Sequence, residues 1–202
     1  MNIDTIVLAT GNSHKIEEIS SILKGLFLEL KTLKDYPAIG EIIEDAPDFR
    51  GNALLKALAV MKHTGLPSLA DDSGLEVDAL GGAPGVISAR FSGKGDAANN
   101  ELLLSKLSTI EDSFRTARFR CVIALAIPGA ETLFAEGRVE GRILNGLSGA
   151  KGFGYDPLFV PDGYQESFAQ MAFNEKNKIS HRGRALNELK EKLKNAASTS
   201  FR

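Results

Sequence analysis

Close to its start the chain runs apolar over Ile6-Val7-Leu8-Ala9, breaks at Thr10-Gly11-Asn12 and enters a helical pattern that opens at Lys15. That order reads as buried strand, tight turn and helix, which commits the chain to an α/β architecture. The turn brings backbone N–H groups, a hydroxyl, an amide and an ammonium to one point. The first N–H groups of a helix lack intrahelical partners, and the dipole is positive there. Thr10, Gly11, Asn12, Ser13, His14 and Lys15 are therefore candidates for holding a phosphate. The hexapeptide is neither GxGxxG nor the long glycine loop closed by Gly-Lys-Ser/Thr. Many such junctions hold no ligand, so its meaning depends on what converges on it.

The bulk numbers exclude several classes. With 202 residues, 43% hydrophobic and 25% charged, the chain can bury a core without disulfides or structural metal. A net charge of −2 provides no global field for nucleic acid or anionic lipid. Any anion site must be local. The single cysteine, Cys121, excludes an intrachain disulfide and lies in an apolar strand pattern, which suits a core residue in a reducing compartment. Three His and one Cys cannot build a zinc cluster. No basic segment leads into a long apolar one, and no apolar stretch approaches ~20 residues. A membrane span is therefore not expected, and the cytoplasm is the expected location.

Periodicity predicts a strand over 3–9, a helix over 14–24 with Ile16, Ile19, Ile22 and Leu23 inward, and β-compatible chain over 26–33. An acidic, turn-rich stretch follows over 35–51. A second helix is expected over 52–63, with Leu54, Leu55, Leu58 and Met61 inward. A short strand at 68–70 then meets the polar Asp71-Asp72-Ser73-Gly74, and another strand covers 75–79. A third helix over 97–108 would take Asp96 as its N-cap. A hairpin over 116–127 and 131–140 turns at Pro128-Gly129, and a strand follows at 157–160. The last helix begins near His181 with Leu186, Leu189 and Leu193 inward. Its polar tail from Asn195 is expected to fray, with residues 197–202 flexible. Interspersed strands and helices with one hairpin predict a mixed-sheet α/β protein.

Several constellations carry chemistry. Asp71-Asp72 closes a strand, where open α/β sheets place reactive groups. Successive strand residues face opposite ways, so one carboxylate faces a site and the other a cation, helix N-terminus or solvent. Asp-Asp-Ser-Gly is also good turn chemistry. Glu44 is either a solvated loop acid or an oxygen ligand, since Mg²⁺ takes one or two carboxylates and completes its shell with water and substrate phosphate. Asn52 and Lys56 share a helix face; Lys56 either snorkels or reaches a phosphate. Phe153 and Tyr155, flanked by glycines, are edge-of-core aromatics or rings that stack on a base. His181 and Arg182 in the first turn of a helix oppose its dipole, which an anionic or carbonyl-rich ligand would explain.

Together these segments resemble the inosine triphosphate pyrophosphatase family, which removes non-standard purine nucleoside triphosphates. The matching residues are LATGNSHKIEEI at 8–19, FRGNALLKA at 49–57, LADDSGLEVDALGGAPGVISARFSG at 69–93, KGFGYDPLFVP at 151–161 and EKNKISHRGRAL at 175–186. Five motifs in register cover nearly the whole chain. The resemblance implies one domain over 1–196, built as two lobes around an elongated central mixed sheet flanked by helices, with a nucleotide cleft between the lobes. It also implies a homodimer, a Mg²⁺ requirement and hydrolysis of ITP, dITP or XTP to the monophosphate and pyrophosphate. Residue by residue, Thr10 to Lys15 would cradle the triphosphate with Lys56. Asp72 would be the catalytic carboxylate, with Lys15 beside it, and Glu44 with Asp72 would hold the metal; Glu41 is the competitor for that place. Ser73 would touch the nucleotide. Phe153, Gly154, Tyr155 and Asp156 would line the base, and Lys176, His181 and Arg182 would read it. Lys151 stands where a glycine is frequent. The rival readings are a pyrophosphatase for other altered nucleotides, pyrimidines included, and a nucleotide sensor that has lost catalysis.

Overall fold

The computed structural model describes residues 3–199. Among them, six strands form one mixed sheet in the order β2-β1-β3-β4-β5-β6. The strands are β1 (Thr5–Leu8), β2 (Glu29–Thr32), β3 (Ser68–Val77), β4 (Thr116–Ala126), β5 (Leu133–Ile143) and β6 (Phe159–Pro161). The helices are α1 (Ser13–Ile22), α2 (Phe49–Thr64), α3 (Asp96–Lys106), α4 (Phe173–Ile179) and α5 (His181–Thr199). β1 runs parallel to β2, from Thr5 opposite Glu29 to Leu8 opposite Thr32, and parallel to β3, with Val7 opposite Ser68. β6 is antiparallel to β5, with Arg142 opposite Val160. The hairpin between β4 and β5 turns through Gly129 at φ 73°, as Pro128-Gly129 predicts. Of the tail expected to be flexible, 197–199 continue α5, and 200–202 lie outside the described residues.

The chain divides into two compact units. The first runs to Asp72, returns over Cys121–Gly137 and ends with the segment from Arg182. Its core joins Ile6, Leu8, Ile19, Leu23, Leu69, Ile123, Leu125, Leu186 and Leu189. Each such side chain, fully buried, contributes about 1.5–3 kcal/mol of apolar transfer. The second unit comprises Ser73–Arg120 and Arg138–His181, around Leu75, Val77, Leu103, Phe119, Val139, Phe159 and Phe168.

Four details differ from the sequence reading. β3 is continuous through Asp71-Asp72-Ser73-Gly74, which is strand and not turn. The face of α2 that is buried carries Phe49, Asn52, Ala53, Lys56, Ala57 and Val60, while Leu55 is 40% exposed. The leucines marked a plausible apolar stripe, but the inward stripe is the one bearing an amide and an ammonium. Gly95, at φ 88°, caps α3 without a side-chain bond, and the carboxylate of Asp96 accepts instead from the backbone N–H of Gly154. Helix α4, too short for periodicity to reveal, places Lys176.

Candidate active site

In the first unit, Asn12 caps α1. Its side-chain oxygen accepts from the backbone N–H groups of His14 and Lys15 at 3.0 and 3.2 Å. Thr10 Oγ1 accepts from Asn12 N–H. The turn is thus pre-shaped by its own side chains, and two of the N–H groups expected to be offered to a ligand are held by the cap. Gly11, Asn12, Ser13 and His14 are exposed, and a Cβ on Gly11 would meet nothing within 4 Å. Lys15 projects its ammonium to Asp71, 3.1 Å away.

Asp71 is fully buried and shares one carboxylate oxygen with Lys15 and with Nε and Nη2 of Arg182, at 3.2 and 2.9 Å. Nη1 of Arg182 pairs with Glu18, one turn beyond Lys15 on α1 and likewise buried. Burial alone would push the Asp71 carboxyl up; Lys15, Arg182 and Lys56 together hold it well below the usual carboxylate range. Arg182 stays firmly protonated because Asp71 and Glu18 outweigh the cost of its burial. Cys121 lies close by on β4, where burial pushes its thiol up to about 12. That agrees with an inert core residue.

Asp72, the next residue of β3, meets a different set. Its Oδ1 accepts from Lys56 Nζ at 3.1 Å and its Oδ2 from Asn52 Nδ2 at 3.2 Å. Lys56 also donates to Glu44 Oε2 at 2.7 Å. Burial raises the Asp72 carboxyl above its ordinary value, with Lys56 and Lys15 pulling the other way. Burial disfavours the charge of Lys56 as well, but Asp72, Asp71 and Glu44 more than offset it and raise its pKa. Two carboxylates therefore converge on one cation position. Glu44 is half-buried at that point, whereas Glu41 is exposed. This hard oxygen pair suits Mg²⁺, which needs only one or two carboxylates when substrate phosphate and water supply the rest. No group of three or more His, Cys, Asp or Glu positioned for a metal ion exists among the described residues.

In the second unit, Asp156 is buried and organises a loop. Its Oδ2 accepts from Phe153 N–H at 2.9 Å and from Lys176 Nζ at 2.5 Å. The Lys176 ammonium lies 5.0 Å from the Phe153 ring centroid, within cation–π range. Gly152 has φ 74°, and a Cβ there would run into the Asp156 carboxylate, so only glycine fits. Both backbone polar groups of Gly154 are held from α3: its N–H by Asp96 at 2.7 Å and its carbonyl by Asn100 Nδ2 at 2.9 Å. Tyr155 is a core residue. Its hydroxyl donates to the Ser88 carbonyl at 2.9 Å, and burial raises its pKa. Lys151 reaches the Gln170 carbonyl at 3.1 Å. The His181 ring stacks on Phe119, centroids 4.7 Å apart and 10° from parallel. Ser73, directly after Asp72 on β3, is half-buried.

The sequence-derived candidates thus fall into sets. Lys15 and Arg182 meet on Asp71; Lys56, Glu44 and Asp72 meet one another; Phe153, Asp156 and Lys176 form a third set. His181 and Arg182 are neighbours in sequence but have different partners. Three buried residues escaped the sequence reading as site members: Asp71, Glu18 and Asn52. Two local signals point to them: Asn52 shares the helical phase of Lys56, and strand alternation at Asp71-Asp72 turns one carboxylate toward a cation, as Asp71 meets Lys15 and Arg182.

A model of the Ham1 family matches residues 6–192. A dITP/XTP pyrophosphatase of Desulfotalea psychrophila is 50% identical over 190 residues, covering 93% of this chain and 84% of that protein. One of Desulforamulus reducens is also 50% identical, covering 93% and 94%. Among solved structures, the Staphylococcus aureus Ham1 protein has a TM-score of 0.85 at 38% identity, covering 96% of this chain and 100% of that one. A nucleoside-triphosphatase, dITP/XTP pyrophosphatase, of Mycobacterium abscessus has a TM-score of 0.75 at 47% identity, covering 92% and 98%.

Proposed function

Because the chain belongs to the Ham1 family, we propose that it performs the reaction for which its relatives are named and that the clusters above carry it. It is a dITP/XTP pyrophosphatase, a hydrolase that removes non-standard purine nucleotides. Water attacks the α-phosphorus, the bond from that phosphorus to the bridging oxygen breaks, and pyrophosphate leaves. The observation that carries the residue assignment is the trio Lys56, Asp72 and half-buried Glu44, in which two carboxylates lie against one ammonium.

Asp72 accepts the proton of the attacking water. Lys56 and Asn52 hold its two carboxylate oxygens in place for that task. Lys56 and Lys15 neutralise charge on the polyphosphate, and the turn from Thr10 to His14, exposed from Gly11 onward, gives that polyphosphate its seat at the start of α1. Ser73 lies one residue beyond Asp72 and contacts the nucleotide in this reading. Glu44 and Asp72 would hold Mg²⁺, which supplies Lewis-acid polarisation of the phosphate oxygens.

Base selection rests on donor–acceptor polarity. Lys176 presents a donor directly beside the acceptor Asp156. Hypoxanthine and xanthine offer an O6 acceptor next to an N1–H donor, the complement of that pair; adenine inverts both and leaves buried groups unmatched. Phe153 stacks on the ring and His181 contributes from the start of α5. Arg182 donates from Nε and Nη2 to Asp71 and from Nη1 to Glu18, and its part in this reading is to hold Asp71 opposite Lys15. Self-association as a homodimer follows from the family resemblance and is checked by sedimentation. No described helix is long and apolar enough to cross a membrane.

The test is incubation of the purified protein with dITP, XTP, GTP and ATP plus Mg²⁺, with products separated by chromatography. The monophosphates and pyrophosphate from dITP and XTP, with little from ATP, are expected. Release of orthophosphate instead of pyrophosphate would overturn the reading.

A further inference from the structure

The segment carrying Glu44 lies between the 3₁₀ turn Leu33–Asp35 and α2 and has no strand or helix of its own. What fixes it is the first turn of α2. Asn52 is fully buried, and its amide is used at both ends. Its oxygen accepts from the backbone N–H of Ala46 at 3.0 Å, two residues after Glu44. Its nitrogen donates to Asp72 at 3.2 Å. The preceding residue, Gly51, lets the segment come this close: a Cβ there would lie 2.5 Å from the Ala46 Cβ. Asp48 completes the seat by capping α2 at Gly51 N–H, 2.7 Å away.

We propose that Gly51 and Asn52 are positioning residues that join the Glu44 segment to Asp72, so that the two carboxylates face one cation at a fixed separation. This rests on the reading of Glu44 and Asp72 as the metal-holding pair. Both ends of the Asn52 amide are engaged within the protein. It acts by aiming one carboxylate directly and by docking the backbone that carries the other. An amide is suited to this because a single side chain must accept from a backbone N–H and donate to a carboxylate at once. Groups that orient metal ligands in this manner typically change metal affinity or activity 10- to 100-fold when removed. Gly51 acts purely by the absence of a side chain.

The proposal predicts a metal phenotype and not merely a loss of activity. Mn²⁺ binding to the substrate-free protein, followed through the electron paramagnetic signal of unbound Mn²⁺, is compared in wild type, Glu44→Gln, Asn52→Ala and Gly51→Ala. Wild type is expected to bind, Glu44→Gln to lose binding, and both Asn52→Ala and Gly51→Ala to weaken it by about 10-fold or more. The Mg²⁺ concentration for half-maximal dITP hydrolysis should rise in parallel, with a smaller change in KM for dITP. Excess Mg²⁺ should restore turnover in Gly51→Ala. Gly51→Ala keeps every polar group, so it reports on docking even if Asn52→Ala folds poorly. Wild-type affinity in a folded Gly51→Ala and Asn52→Ala would overturn the inference alone. Wild-type binding that survives Glu44→Gln unchanged would overturn the metal-pair reading beneath it.

Discussion

Asp71 and Asp72 are consecutive on β3, yet Asp71 binds Lys15 and Arg182 while Asp72 binds Lys56 and Asn52. The alternation of a strand separates two identical carboxyl groups into two electrostatic settings. One is held ionised well below the carboxylate range; the other is raised by burial. A pair of like groups with opposed shifts is a means of dividing structural from chemical work.

Replacing Asp72 by Asn should remove the proton acceptor while preserving shape and the contact with Asn52. Turnover of dITP is expected to fall on the order of 10²- to 10⁴-fold, with the melting temperature little changed because Lys56 keeps Glu44. Pyrophosphate release and calorimetry measure the two sides. Near-normal release would remove Asp72 from this role.

Arg182→Ala takes the guanidinium away from two buried carboxylates, Asp71 and Glu18, of which Asp71 keeps Lys15. With Asp71 and Glu18 nearly without solvent contact, the cost is about 3–5 kcal/mol, as for breaking a buried ion pair. Urea unfolding measures it. Arg182→Lys should retain more stability and leave the dITP-to-ATP preference as in wild type. A collapse of that preference in Arg182→Lys would show the guanidinium reading the base.

The pH dependence of stability follows from Asp71. Its folded pKa is depressed, so the unfolded chain takes up a proton before the native one does. Its contribution is fully present above the unfolded value of about 4, and is lost as pH falls from there toward the folded pKa. The stability gap between wild type and Asp71→Asn should therefore be constant from pH 8 to 6 and narrow below about pH 4. A gap that persists undiminished at pH 3 would refute an ionic origin.

Phe153→Ala removes the proposed stacking ring. A loss of roughly 1–3 kcal/mol of stacking corresponds to a KM for dITP raised about 5- to 150-fold, with kcat affected less. Steady-state kinetics with dITP and XTP checks it; an unchanged KM would leave Phe153 as a partner of Lys176 only.

Much of the fold could be read locally. The apolar runs of β1 and β4, the Pro128-Gly129 turn and the leucines of α5 each declare themselves within a dozen residues, because periodicity follows directly from backbone geometry. The failures have one cause. Two acids in a row at Asp71-Asp72 favour a turn unless cations cover them, and the cations that keep β3 continuous come from distant parts of the chain. The buried stripe of α2 departs from its leucines because Asn52 and Lys56 are polar by local rules and turn inward only where Asp72 and Glu44 are set against them. In both places the residues that break the local rule are those of the candidate site, where function tolerates polar burial.

Local sequence sets the α/β alternation, the helical phase that puts Asn52 with Lys56, and the stock of charged residues from which a phosphate site can be built. Tertiary structure alone decided who pairs with whom. Arg182 lies 111 residues from Asp71 and 164 from Glu18, and its adjacency to His181 says nothing of either contact. A buried charge must find an opposite charge, and chain topology, not sequence proximity, determines which one is within reach.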